Sequence, residues 1–480
     1  MKKNRAAALF LIAAMLTVSC GTEQQSKDTS TDSTENLVES TVDPLYEGLP
    51  EGDFGGETFK FLGENMTTWA IVELCADEID GDLINDTMYE LDRRVEDKLN
   101  IKIKADYRPR SGELRDFVNT AVMSGEDEYD VYDIPSHIAA GLILKDSFRD
   151  ISDLEGISSD KPWWDENIRD SLSFNGKCYS LLGDVSLMFG ETHLVMFLNK
   201  ELAETIGLED HYSLVSEGRF TLDRLGEDVR AAALDLNGNT TTDFEDRFGA
   251  CTSARVMSYL MISGEEPIVN TDDDGLPTFT GLSEKGVDMF MKIKSFMFDE
   301  TLSLVEGSNL IPSEKIWQSP FVEGRSLYLF EPLGYTKLMR DVTFDYAVLP
   351  MPKYDENQKE YLTPILQYVH TMYVTKANTR TKMIGAVLEN LSAESYKSLR
   401  PAYFESVLDN KRVRDEESKE MLDIIFSNRV LSPVTVFDWG GLSSLLNQKG
   451  QAKNADIASS VANVINKVQA DIEATLELYQ

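Results

Sequence analysis

The chain has 480 residues, 42% of them hydrophobic and 9% aromatic, which is too much for one ordinary core and implies two domains. Its 46 basic residues against 83 acidic ones give a net charge of −37. Such a surface repels phosphate backbones and anionic lipid, so nucleic acid is excluded as a partner and lying flat on a membrane is disfavoured.

The first twenty residues have the layout of an export signal. Lys2, Lys3 and Arg5 form a positive n-region, and Ala6 to Leu16 is an apolar run well short of the roughly 20 residues that span a bilayer. Thr17-Val18-Ser19-Cys20-Gly21 then resembles the lipobox of bacterial lipoproteins. That resemblance implies cleavage before Cys20 and a lipid on its sulfur. The chain would then be anchored to the cell membrane on the extracellular side, or in the periplasm if two membranes enclose the cell. Thr17 stands where leucine is usual, and cleavage of an ordinary secretory signal near Ser19 is the alternative. Cys75, Cys178 and Cys251 remain, enough for at most one disulfide, and they serve equally as small buried hydrophobes. No CxxC or Cys/His cluster exists to hold structural zinc. Residues 21–51 begin with a stretch (Thr22 to Asp43) rich in Ser, Thr, Asp and Glu. It has too little apolar surface to fold and reads as a flexible tether.

Folding is expected from residue 52. Glu57 to Gly63 reads as a strand with Phe59 and Phe61 on one face. Ile84, Met88, Leu91, Val95 and Leu99 recur every three or four residues, a helix that Asp82 or Asn85 would cap and Asn100 would end. A strand with alternating Ile101, Ile103, Ala105 and Tyr107 follows, then a helix stopped at Gly125, then a strand from Tyr129 to Ile134. This βαβαβ order demands a largely parallel sheet with right-handed crossovers. Beyond Asp150 the pattern loosens around Pro162-Trp163-Trp164. His193 to Leu198, Arg325 to Phe330, Phe344 to Leu349 and Met372 to Val374 read as strands. Lys200 to Gly207, Thr221 to Leu236, Ser283 to Phe298 and the chain end read as helices.

The leader, the tether, the βαβαβ unit, Phe321-Val-Glu-Gly-Arg-Ser-Leu-Tyr-Leu-Phe330 and Phe344-Asp-Tyr-Ala-Val-Leu-Pro-Met-Pro352 together resemble the extracellular solute-binding proteins of ABC importers. The similarity is to the sugar-binding subfamily that includes maltose-binding protein, and it covers about Phe54 to Gln480. It implies an α/β, two-lobed periplasmic-binding-protein-like fold of type II, with a hinge and a ligand cleft between the lobes. Lobe one would hold residues 52–185 and a return segment 345–403. Lobe two would hold 186–344, completed by the C-terminal helices 404–480. It also implies a monomer that captures a small solute, most plausibly a sugar, and docks on the permease of an ABC importer.

A sugar site wants aromatic rings for stacking, with carboxylates and amides for hydroxyls. By position the candidates are Glu64, Asn65 and Trp69 after the first strand, Asp184 and Ser186 at the first crossover, Tyr335, and Trp439 in a late loop. Each Trp could equally be a core anchor, and Trp163 and Trp164 should face opposite ways. Glu331 and Asp133, at strand ends, rank behind these. The same residue types also suit peptides or polyamines. No cofactor is required, but Asp235, Asn237, Asn239, Thr241 and Asp246 follow a helix with the oxygen spacing of an EF-hand calcium loop. Thr240 stands where glycine is expected there, and Asp246 where glutamate is usual, so structural calcium and an empty polar turn both stand.

The rival class is an exported carbohydrate-active enzyme such as a glycoside hydrolase, and a third is a surface adhesin. Among 83 acids chance carboxylate pairs discriminate nothing. His137, His193, His211 and His370 are the only histidines, and none lies in HExxH or beside a GxSxG elbow. The expectation is therefore a binder without catalysis.

Overall fold

The structure is a computed structural model that describes residues 43–65, 69–109, 112–125, 128–272, 274–340, 342–408 and 416–480. Cys20, the leader and most of the expected tether lie outside these residues. The chain divides after Glu47. On the N-terminal side the described residues make one 3-10 turn, Pro44–Tyr46, capped by Asp43. Past that division Pro50 is already fixed, because its carbonyl accepts a hydrogen bond from Asn390 Nδ2 at 2.9 Å, so the expected tether ends before residue 51.

Strands β1 (Glu57–Asn65), β2 (Ile101–Pro109) and β3 (Val131–Pro135) are parallel, with β1 in the middle. Phe59, Phe61 and Leu62 are fully buried, as a central strand covered on both faces requires. The helix Leu83–Leu99 connects β1 to β2. Asp82 caps its start by accepting from the Ile84 and Asn85 amides, and Asn100 ends it at φ 49°, in the left-handed conformation Asn tolerates.

The second sheet holds β4 (Leu194–Asn199), β5 (Phe248–Thr252), β6 (Ser303–Val305), β7 (Ser326–Pro332) and β8 (Tyr346–Leu349) in the order β8-β4-β7-β5-β6. Strands β5, β6 and β7 run parallel, while β4 is antiparallel to both β7 and β8. The run beginning at Phe344 therefore extends the second sheet. The resemblance implied a return to the first lobe from residue 345, but the chain rejoins the first sheet only at β9 (His370–Tyr373), antiparallel to β3. It does so because the fully buried β8 satisfies its backbone against β4. Two connecting segments run side by side between the sheets, tied by the bridges Leu181↔Met372 and His193↔Ile365. Later helices again divide between the two sides. Leu399–Leu408 packs on Leu83–Leu99, and Glu416–Ser427 packs on β8. Among the described residues no helix is long and apolar enough to cross a membrane.

Candidate functional site

The parallel strands of the second sheet end on one edge, and the residues at or just beyond those ends converge there, where open α/β sheets bind ligands. Thr252, Ser253 and Arg255 come from the end of β5, Glu306 from β6, and Phe330, Glu331 and Tyr335 from β7. From the first sheet, the segment after β1 contributes Trp69, and the returning connection contributes Leu366 and Tyr368. Together they enclose a cavity of ≈ 290 Å³.

Glu331 is the more buried of its two acids, only 8% exposed. Gln318 Nε2 donates to Glu331 Oε1 at 2.7 Å and to the Tyr335 hydroxyl at 2.9 Å. Burial pushes the Glu331 carboxyl up to about 8; Gln318 and Tyr335 pull it down, and the charge of Glu306 pushes it further up. Burial also raises Tyr335, and Glu331 beside it adds to the effect. Across the cavity the exposed Arg255 guanidinium lies 5.4 Å from the centre of the Tyr368 ring, a cation–π contact. His137 meets Tyr368 edge-on at 5.1 Å.

The wall carrying Trp69 is tied to the connecting segment. Ile71 N–H donates to Glu191 Oε2 at 3.0 Å, and Lys337 Nζ stands 3.5 Å from the same oxygen. Glu191 is buried, and desolvation raises its carboxyl against the pull of Lys337. A Cβ on Gly334 would sit 2.5 Å from Glu191 Oε2 and 2.6 Å from the Trp69 carbonyl, so only glycine admits this approach.

The residues expected from sequence separate into several places. Trp69 and Tyr335 line the cavity, and Glu331, ranked behind the others, is its central acid. Glu64 does not reach it. His370, fully buried, donates from Nε2 to Glu64 at 3.1 Å and from Nδ1 to Asp133 at 3.2 Å. Burial alone would depress the imidazole, but the two carboxylates outweigh it and raise it to about 9. Asn65 is exposed at the end of β1. Asp184 faces Arg400 at 3.3 Å in a separate crevice of ≈ 10 Å³, where burial raises its carboxyl to about 6 against Arg400. That space holds a water at most. Ser186 is buried in a turn and donates its amide to the Gly183 carbonyl.

Trp439 is a core anchor, correcting the expectation of a stacking residue. It is 2% exposed, it stacks on Phe437 at 5.2 Å and 1°, and its indole N–H donates to Thr475 Oγ1. Trp163 and Trp164 are likewise buried, and Trp164 Nε1 donates to Glu389.

In the Asp235 loop the candidate ligands hydrogen-bond to one another and to the loop's own backbone. Asp235 accepts from the amides of Gly238 and Thr240, Asp246 from those of Leu236 and Asp243, and Asn237 and Asn239 both donate to Asp243. The Thr241 hydroxyl turns to Asn239 Oδ1. Among the described residues no three His, Cys, Asp or Glu side chains are placed to hold a metal ion. Thr240 takes the glycine-like φ of 62°.

Arg255, Glu306, Gln318 and Tyr368 went unseen in the sequence. Arg255 and Glu306 follow short strands that show no alternation. Gln318 had a signal, since it stands just ahead of the Phe321-x-x-Gly324 turn.

Comparison with family models and with curated proteins finds no match. Solved structures do match. A substrate-binding protein of an ABC transporter from Listeria monocytogenes, in complex with cycloalternan, superposes with a TM-score of 0.54 at 14% identity, over 88% of this chain and 98% of its own. The GacH receptor of Streptomyces glaucescens, solved unliganded and with acarbose, gives 0.52 at 15%, over 88% and 97%. UgpB from Mycobacterium tuberculosis, in complex with glycerophosphocholine, gives 0.56 at 13%, over 82% and 96%. The fold is that of the two-lobed substrate-binding proteins. The cavity lies between the lobes, with Trp69 on the first and Glu331 and Tyr335 on the second.

Proposed function

We propose that this chain captures a small extracellular solute of the carbohydrate class between its lobes and delivers it, without chemical change, to the membrane permease of an ABC importer. The single observation that carries this is the interlobe cavity, in which aromatic rings (Trp69, Tyr335, Tyr368) alternate with Glu331, Gln318, Arg255 and Glu306. Rings stack on the apolar faces of sugars, and the polar groups meet hydroxyls. Its volume lies at the lower bound of the roughly 300–1,000 Å³ usual for small-molecule sites, which favours a small saccharide over a long one. Structural neighbours carrying cycloalternan and acarbose support the class.

A calorimetric and thermal-shift screen of mono- and oligosaccharides tests the reading. Binding with the sugar recovered intact is expected; release of hydrolysis products would replace it with the enzyme. Anchorage through lipid on Cys20 belongs to the same proposal. In cells, Cys20→Ala should release the protein from the membrane fraction, and retention would remove the anchor from the account.

A further inference from the structure

We infer that the solute presents an ammonium group to Glu331, which makes it an amine-bearing saccharide; the saccharide part rests on the reading above, and the ammonium part rests on the following geometry. Glu331 is buried at the cavity wall, and among the described residues no Lys, Arg or His forms an ion pair with it. Its contacts are the Gln318 amide and the Tyr335 hydroxyl. A carboxylate withdrawn from water without a counter-ion is costly, and this one faces the space a solute fills.

The groups around it want donors. Gln318 Nε2 is committed to Glu331 and Tyr335, which leaves Gln318 Oε1 as a buried acceptor with no hydrogen-bond partner among the described residues. Glu306 supplies a second carboxylate to the same cavity. An ammonium is donor-only and satisfies this acceptor set together with its charge. A neutral hydroxyl would satisfy the hydrogen bonds but would leave the carboxyl protonated or, once ionised, without a counter-charge. The walls agree, since Trp69, Phe330 and Tyr335 offer π-faces that attract cations. Among the described residues Arg255 is the one cation lining the cavity; it is held over Tyr368 and forms no ion pair with Glu306 or Glu331. The overall charge of −37 raises the encounter rate of cations. Without a ligand, burial keeps a proton on Glu331; an ammonium alongside would favour the anion.

The test is isothermal calorimetry on the whole chain at pH 6.5, where the amino sugars carry their ammonium, with glucosamine and galactosamine, their N-acetyl derivatives, the parent neutral sugars, and choline. The amino sugars should bind at least about tenfold more tightly than the N-acetyl and neutral forms, a difference within the range of a desolvated cation contact. Glu331→Gln should collapse that ratio towards one. Equal affinities for amino and neutral sugars would overturn the ammonium inference and leave the carbohydrate reading standing. Binding of choline alone would keep the ammonium and overturn the carbohydrate. Silence from every probe would overturn both.

Discussion

Two buried acidic sites in this protein solve the same electrostatic problem in opposite ways. At the junction of β1, β3 and β9, Glu64 and Asp133 close on His370, all three fully buried, and the imidazole is held charged. In the cavity, Glu331 is nearly as buried but among the described residues is met by an amide and a phenol and by no cation. The first site is complete within the chain and fixes the strand that returns from the second lobe. The second is incomplete until something enters. Where a protein leaves a charge unneutralised, the missing partner indicates what the site recognises.

Removing the cation from the complete site is the harshest way to test the contrast. His370→Leu leaves two buried carboxylates with no counter-charge and should cost about 3–5 kcal/mol in urea unfolding. A cost under about 1 kcal/mol would show the cluster to be no more settled than Glu331. Alkali probes the same site more gently. With a folded pKa of about 9 against 6.5 for free histidine, the stabilisation is complete below pH 6.5 and fades as pH rises through 9. It amounts to something on the order of 3 kcal/mol, seen as a fall in unfolding free energy that His370→Leu lacks.

Glu331 should follow the same pH trend but respond to mutation in the opposite sense. Its folded pKa of about 8 lies above the 4.5 of a free carboxyl, so stability is full below pH 4.5 and drains as pH rises through 8. Glu331→Gln should therefore stabilise the unliganded protein at pH 8.5 by roughly 1–4 kcal/mol. A lower melting temperature would mean that the carboxylate is structural. The smallest effect belongs to the Asp235 loop, where backbone amides satisfy the acids. EGTA should leave the melting temperature unmoved, and a drop would reveal a third site completed by metal.

Legibility from sequence followed the range of the forces. The helix Leu83–Leu99 was readable to its caps because Asp82 and Asn100 act within the same turn. Strand β1 was readable because a central strand is apolar on both faces. The boundary at residue 345 was not, since whether β8 joins β4 or the first sheet depends on a pairing about 150 residues apart. Trp69 and Trp439 look alike in sequence, and Thr475, which meets the indole of one, is a distant residue. Glu64 and Glu331 are both acids near strand ends. Only the fold supplies His370 to one and withholds a cation from the other.

The close approach at Gly334 bears on time as well as affinity. Trp69 and Tyr335 face one cavity from different lobes, yet the segments carrying them meet at Glu191, through Ile71 on one side and Lys337 on the other. These links tie the two segments together at Glu191. On the proposed reading, residence of the solute would depend on a carboxylate outside the cavity lining. Stopped-flow dissociation from Glu191→Gln, which keeps an acceptor for Ile71 but drops the charge facing Lys337, should run several-fold faster. An unaltered off-rate would show that the lobes part elsewhere.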